Sequence, residues 1–274
     1  MTKETYLATK TKPFFSPDTP AHIIHKYRHL QRIDQRKTRD EQKVDMVICD
    51  IRRVASNLNI PKDVQDYAIN LFLKCVRQLK PPSLYYHYFY ACASLIIASR
   101  THGRKAPVTL QEILNEFNRL GVKITIKRVF RTLREISEKL KIKPRIKDPK
   151  DYLLRIIDET FNLDEVKNKL NRRGVDAQLY KQKVIIEAIK LLNKTKKETK
   201  GRRPITVALA TIYGAEKIVA YKLGIRPVIT MNNLSTIIGS HGAQFRACYA
   251  KVFKKYVIKE TKEEFYRNYV NKNT

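Results

Sequence analysis

Residues 88–99 read YFYACASLIIAS, and residues 205–223 read ITVALATIYGAEKIVAYKL. The first is the longest apolar run in the chain. It is too short to span a bilayer, which takes ~20 residues. The first is apolar or small on every side of a helical wheel, so it is expected to be a helix buried all round, and the second, rich in small residues, is expected to be a buried helix that matches it. Each is closed by a glycine, Gly103 and Gly224, placed as a C-terminal cap. A helix with no polar face must be surrounded by other elements, and the flanking sequence supplies them.

Upstream of the first stretch, Val44, Val47, Ile48, Ile51, Val54 and Leu58 form an i, i+3, i+4, i+7 stripe. Val64, Ala68, Leu71, Phe72 and Cys75 form a second, ended by Pro81-Pro82-Ser83. Downstream, Thr109 with Glu112 makes a capping box for a short helix to Phe117. Thr125–Ile142 is a longer helix carrying Ile126, Val129, Phe130, Leu133, Ile136 and Leu140. The order then recurs: a helix from Tyr152, another over Val184–Leu192, the second buried stretch, a short helix from Thr230 to Ile238, and a longer one over His241–Tyr256. Phe130 and Tyr249 are expected at matching points of the two copies. No segment shows sustained strand alternation. The expected fold is all-α, with two tandem five-helix units that each end in a helix-turn-helix-like pair. The expected boundaries are a basic flexible arm over 1–43, a first unit over 44–144, a second over 145–260, and a basic tail over 261–274. Thr11–Pro20 reads as an extended arm and Lys147-Asp148-Pro149-Lys150 as the linker between units.

Lys and Arg number 56 against 26 Asp and Glu, a net charge of +30 over 274 residues. Such a fold repels itself unless a polyanion neutralises it, and nucleic acid is the first candidate. The N-terminus shows no secretory signal, so the chain is expected inside the cell. The cysteines, Cys49, Cys75, Cys92 and Cys248, never pair as C-x-x-C, and each lies in an apolar helical pattern as a buried small hydrophobe would. No four-ligand zinc set is formed. His25 and His29 share a helix side without a nearby cysteine. With no nucleophile motif, P-loop or dinucleotide fingerprint, neither an enzymatic activity nor a cofactor is expected.

The sharpest constellation is Thr230–Phe253, TMNNLSTIIGSHGAQFRACYAKVF. Gly239 suits the turn of a helix-turn-helix. Leu234, Ile237, Ile238, Phe245 and Val252 would fill the space between the helices. Ser240, His241, Gln244 and Arg246, with Lys251 further along, would face outward, where a recognition helix meets base edges. Arg suits guanine and Gln suits adenine. An ordinary helical hairpin with a solvated basic face gives the same pattern.

Lys143–Arg155, KPRIKDPKDYLLR, resembles the inter-repeat linker of the general transcription factor B family of archaea and eukaryotes. Pro107–Ile113 is similar to that family's first-repeat helix-turn-helix, Asp50–Pro61 to its opening helix, and Thr230, Leu234, Ser235, Gly239, Phe245, Arg246 and Tyr249 to its second-repeat motif. The resemblance covers roughly residues 28–256. It implies a pair of cyclin-fold repeats that dock as a monomer on TATA-binding protein and double-stranded DNA, in the cytoplasm with the nucleoid or in a nucleus. It implies base contacts at Ala243 and Arg246, and DNA contacts from the first repeat through Lys123, Thr125, Lys127, Arg128 and Arg131. RNA polymerase enters only as the partner of the family's zinc ribbon, which has no counterpart in these residues. Asn162–Tyr180 is longer than the family's connection. A cyclin-like module that binds a protein partner is the competing expectation.

Overall fold

The structure, a computed structural model, describes residues 20–36, 38–238 and 242–261. Among these residues the regular structure is helical throughout. Helix α1 spans Ala21–Arg36. Helix α2, Arg39–Asn57, starts inside the stretch read as a flexible arm. Thr38 and Glu41 set its start by a reciprocal capping box, which satisfies two of the donors a helix leaves open. α3 spans Lys62–Leu79 and ends at Lys80, in the left-handed region at φ +43°, before the two prolines.

α4, Leu84–His102, contains the first deciding stretch, and every residue from His87 to Ser99 is buried. It is the axle of its unit. α2, α3, α5 (Leu110–Arg119) and α6 (Ile126–Lys139) all pack against it. One hydrophobic cluster, from Val47 to Leu140, fills the space between them. Leu140 caps α6, and Lys141 at φ +54° turns the chain away, so α6 is shorter than expected from sequence.

A second cluster runs from Tyr152 to Val257. α7 (Lys150–Asn162), α8 (Asp164–Arg172) and α9 (Ala177–Lys194) precede its axle, α10 (Pro204–Lys222), which contains the second deciding stretch. α7, α9, α11 (Met231–Ile238) and α12 (Gly242–Cys248) pack against α10. A π-helical turn, Tyr249–Phe253, carries α12 on into helical residues 254–261. Gly214 on α10 admits this last helix: a Cβ there would stand 3.0 Å from Leu191 Cδ2 and 3.2 Å from Val257 Cγ2.

α8 lies within residues 162–180, the segment expected to be longer than the connection of the family it resembles. Its Val166 and Leu170 are fully buried, so it belongs to the second cluster and not to a surface loop.

The stretch read as a linker is no loose connector. Lys147 is 7% exposed, and its Nζ donates to the carbonyls of Ala106 and Val108, at 2.6 Å each. Arg155 of α7 binds Glu112 of α5 in a bidentate pair and donates to Pro107 O at 3.0 Å. Burial alone would raise the Glu112 carboxyl, but Arg155 and the Thr109 cap hold it below its ordinary value.

Candidate nucleic-acid interface

The pair α11–α12 is built from three local devices. First, Thr230 Oγ1 accepts from the Asn233 N–H at 3.2 Å, while Asn233 Oδ1 accepts from the Thr230 N–H at 2.9 Å, so α11 starts on a capping box with Asn in the acid's place. Second, the buried Glu216 of α10 takes the N–H groups of Val228 and Ile229, at 2.6 and 3.3 Å, and the Tyr180 hydroxyl at 3.0 Å. That fixes the segment feeding α11. Burial pushes the Glu216 carboxyl above its ordinary value, against the pull of these three donors. Third, Asn233 donates to Glu165 of α8 at 2.7 Å, so the inserted helix braces α11 from outside.

Leu234, Phe245 and Val252 are buried in the interior as expected, whereas Ile237 is only partly buried. Tyr213 sits edge-on to Phe245 and Tyr249, with ring centroids 5.9 and 4.8 Å away. Gly242 opens α12 where a Cβ would come within 3.3 Å of Ser235 Oγ. Gly239, Ser240 and His241, and the side chain of Ile238, lie outside the described residues.

Of the expected base-facing residues, Ala243, Gln244, Arg246 and Lys251 are all exposed. Two of them are already engaged. The Arg246 Nε donates to Gly242 O at 3.3 Å, so the guanidinium lies back along its own helix. Gln244 Oε1 accepts from Arg203 at 3.4 Å. The face between them is small and flat, because Ala247 and Ala250 are exposed as well. Alanines cost nothing in side-chain order and let a backbone or groove wall come close.

The Arg203 contact brings in residues that the sequence reading missed. The connection from α9 to α10 folds against the last helix. Thr195 and Thr199 are buried, and Glu198 binds Lys255 and the Tyr256 hydroxyl. Lys196, Lys197, Lys200, Arg202 and Arg203 stay exposed, in the loop that reaches α12 through Arg203. Their grouping is visible in sequence, but their position beside α12 depends on tertiary structure.

In the first unit, Lys123, Thr125, Lys127, Arg128 and Arg131 are all exposed at or near the start of α6. Arg128 is held over the rings of Tyr85 and Phe89, 5.5 and 5.4 Å from the centroids. Tyr85 donates to Lys123 O at 2.9 Å. Two expectations fail here. Ile126 and Phe130, expected in the apolar stripe, are 45% and 52% exposed. The stripe runs through Val129, Thr132, Leu133 and Ile136, and the same spacing recurs in Phe245, Cys248, Tyr249 and Val252. Tyr249 is 7% exposed, so it does not share the half-exposed surroundings of Phe130. A six-residue apolar list spans more than one helix face, and periodicity alone did not say which members lay at its edge.

The cysteine expectation is corrected at one site. Cys75, Cys92 and Cys248 are buried, and burial pushes the Cys75 thiol up to about 11, but Cys49 is exposed on α2. No helix among the described residues is long and apolar enough to cross a membrane.

The chain matches no family model. It is similar to "Transcription initiation factor IIB" of Methanococcus aeolicus, 30% identical over 194 residues, which cover 69% of this chain and 50% of that protein. The protein of that name from Methanothermococcus thermolithotrophicus is 28% identical over 194 residues, 69% of this chain and 49% of its own. "Transcription initiation factor IIB 7" of Halobacterium salinarum is 28% identical over 150 residues, 54% of this chain and 43% of its own. The chain spans about half the length of the curated relatives it matches.

Proposed function

From its kinship with transcription initiation factor IIB of archaea, we propose that this chain is a DNA-binding initiation factor whose two helical units are cyclin-like repeats, with α12 as the helix that reads promoter DNA. The observation that carries this reading is the outward side of α12. Arg246 and Gln244 stand on a floor of alanines, on a helix pair with a filled interior, beside a loop of five exposed cations. A recognition helix needs long polar side chains near its N-terminus and nothing bulky between them. The loop cations suit the flanking phosphates, whose contacts position a protein without reading sequence. Arg246 and Gln244 are tied only by long, solvent-exposed hydrogen bonds, so their release to a base edge costs little.

The first unit supports a different contact. Lys127 and Arg131 flank an exposed Phe130 on α6. A large apolar side chain ringed by cations suits an acidic protein surface with an apolar socket better than a phosphate backbone. TATA-binding protein is the partner that the family resemblance implies. Both readings leave the chain without catalytic chemistry of its own, in keeping with relatives named as initiation factors.

Fluorescence anisotropy on a labelled duplex, titrated with salt, tests the proposal. Engaging ~6 phosphates gives a log–log slope near −5, because each neutralised phosphate releases counterion. A slope near zero removes DNA as the partner.

A further inference from the structure

Where the two units meet, the end of α4, the turn after it and the segment leading into α7 enclose a cleft of about 420 Å³. It is lined by His102, Arg104, Arg145, Asp148, Lys150 and Asp151. Both carboxylates already accept hydrogen bonds from their own segment. Asp151 Oδ2 accepts from the Asp148 N–H at 2.9 Å and from Arg145 at 3.5 Å, and Asp148 Oδ1 accepts from the Lys150 N–H at 2.9 Å.

The cations are less fully used. Among the described residues, neither the Arg104 guanidinium nor the Lys150 ammonium has an ion-pair partner. The Nε2 of His102 is buried with no hydrogen-bond partner, although its ring is held edge-on to Tyr67 at 5.4 Å. A buried ring nitrogen left unpaired costs free energy, which marks the His102 side of the cleft as incompletely satisfied. Gly103 shapes the wall: it sits at φ +52°, and a Cβ there would stand 3.0 Å from an Arg145 Nη.

We infer that this junction cleft is a phosphate-binding site shared by the two units. His102 and Arg104 belong to the first cluster's side of the junction, Arg145 and Lys150 to the segment leading into the second. Arg104, Lys150 and the Asp151-paired Arg145 line the cleft with His102, an excess of one cation over the two carboxylates of its wall, and a concave, net-positive site suits a phosphate monoester, a phosphodiester or inorganic phosphate. A phosphate held here bridges the two units. The inference rests on the DNA reading only for the source of the phosphate, not for the site.

The test uses the full chain and a variant with Arg104→Ala and Lys150→Ala, two side chains without ion pairs, so the fold is retained. Melting is followed in inorganic phosphate and in chloride at matched ionic strength. Phosphate raises the wild-type midpoint above chloride, and the variant loses that difference. Equal midpoints for wild type in the two salts, or a difference that the variant keeps, overturn the site. Duplex binding then identifies the source. If the backbone fills the cleft, the variant's salt slope is shallower by about 0.9, one phosphate's worth. If free phosphate or a nucleotide fills it, the slope is unchanged. A duplex that wild type does not bind defeats the DNA reading and leaves the melting comparison to decide the cleft.

Discussion

Replacing Arg155 by Ala should loosen the junction without unfolding either unit, and the structure sets the size of the effect. The guanidinium makes a bidentate pair with Glu112, a bond to Pro107 O at 3.0 Å and another to Glu159 at 2.7 Å. Charge-assisted bonds contribute about 1.5–3 kcal/mol when shielded from water. Here the two side chains of the main pair are 27% and 24% exposed, which discounts that figure. Losing one partner of a fully buried pair costs about 3–5 kcal/mol, because the other charge is stranded. Glu112 is not stranded: it still accepts the Thr109 N–H at 2.6 Å and sits at a helix N-terminus, which favours its charge. Arg155→Ala should therefore cost about 1–2 kcal/mol. Glu112→Ala removes the same pair and the cap, worth about a further 1 kcal/mol, and should cost more. The double variant should fall short of the sum of the two by about 1 kcal/mol, the part both singles remove. Urea unfolding followed by far-ultraviolet circular dichroism measures all three, since the chain has no Trp. Additivity of the two single effects, or an Arg155→Ala as stable as wild type, would refute the latch.

Lys147 gives the junction a pH dependence. Burial pushes its ammonium down to about 7 from 10.5, although Asp151 and Glu112 pull the other way. Between those two values the unfolded chain binds the extra proton and the folded chain does not, so stability rises with pH across about 7 to 10.5. Lys147→Met should flatten that rise in melting curves taken from pH 7 to 10, and an unchanged rise would contradict the assignment. Phe130→Ala should leave stability within about 0.5 kcal/mol, because the ring is half exposed. It should nonetheless weaken association with a complex of TATA-binding protein and DNA in a pull-down, and undiminished recovery would mean that the exposed ring is incidental.

The helices were legible because their signals are local. The capping box of Thr109 and Glu112 is written in two residues, and a helix with no polar face, such as 88–99, announces that others surround it. Cases that failed turn on what stands next to a residue. Lys147 sits among basic residues and prolines, and only the fold shows that two carbonyls of another unit take its amine. Phe130 follows a fully buried valine and reads as core, yet it falls just past the contact with α4. The segment 162–180 was visible as an excess of length, but α8 is only nine residues long and its Glu165 is met by Asn233, 68 positions away. In the candidate site, the residue types of α12 could be read from sequence. Their resting state could not, because Arg203 reaches Gln244 from 41 positions away.

Whether α12 reads sequence is decided by a binding-site selection. Wild type, Arg246→Ala and Lys127→Ala would each select from a randomised duplex in the presence of TATA-binding protein. Arg246 can leave the Gly242 carbonyl and bind guanine through two donors. Its loss should cost about 1–3 kcal/mol on the preferred site and relax preference at one base pair. Lys127→Ala should weaken every sequence alike, because a lysine set against the partner protein beside Phe130 carries no base information. If Arg246→Ala selects the same sequences as wild type, α12 is a basic face and not a reader of bases.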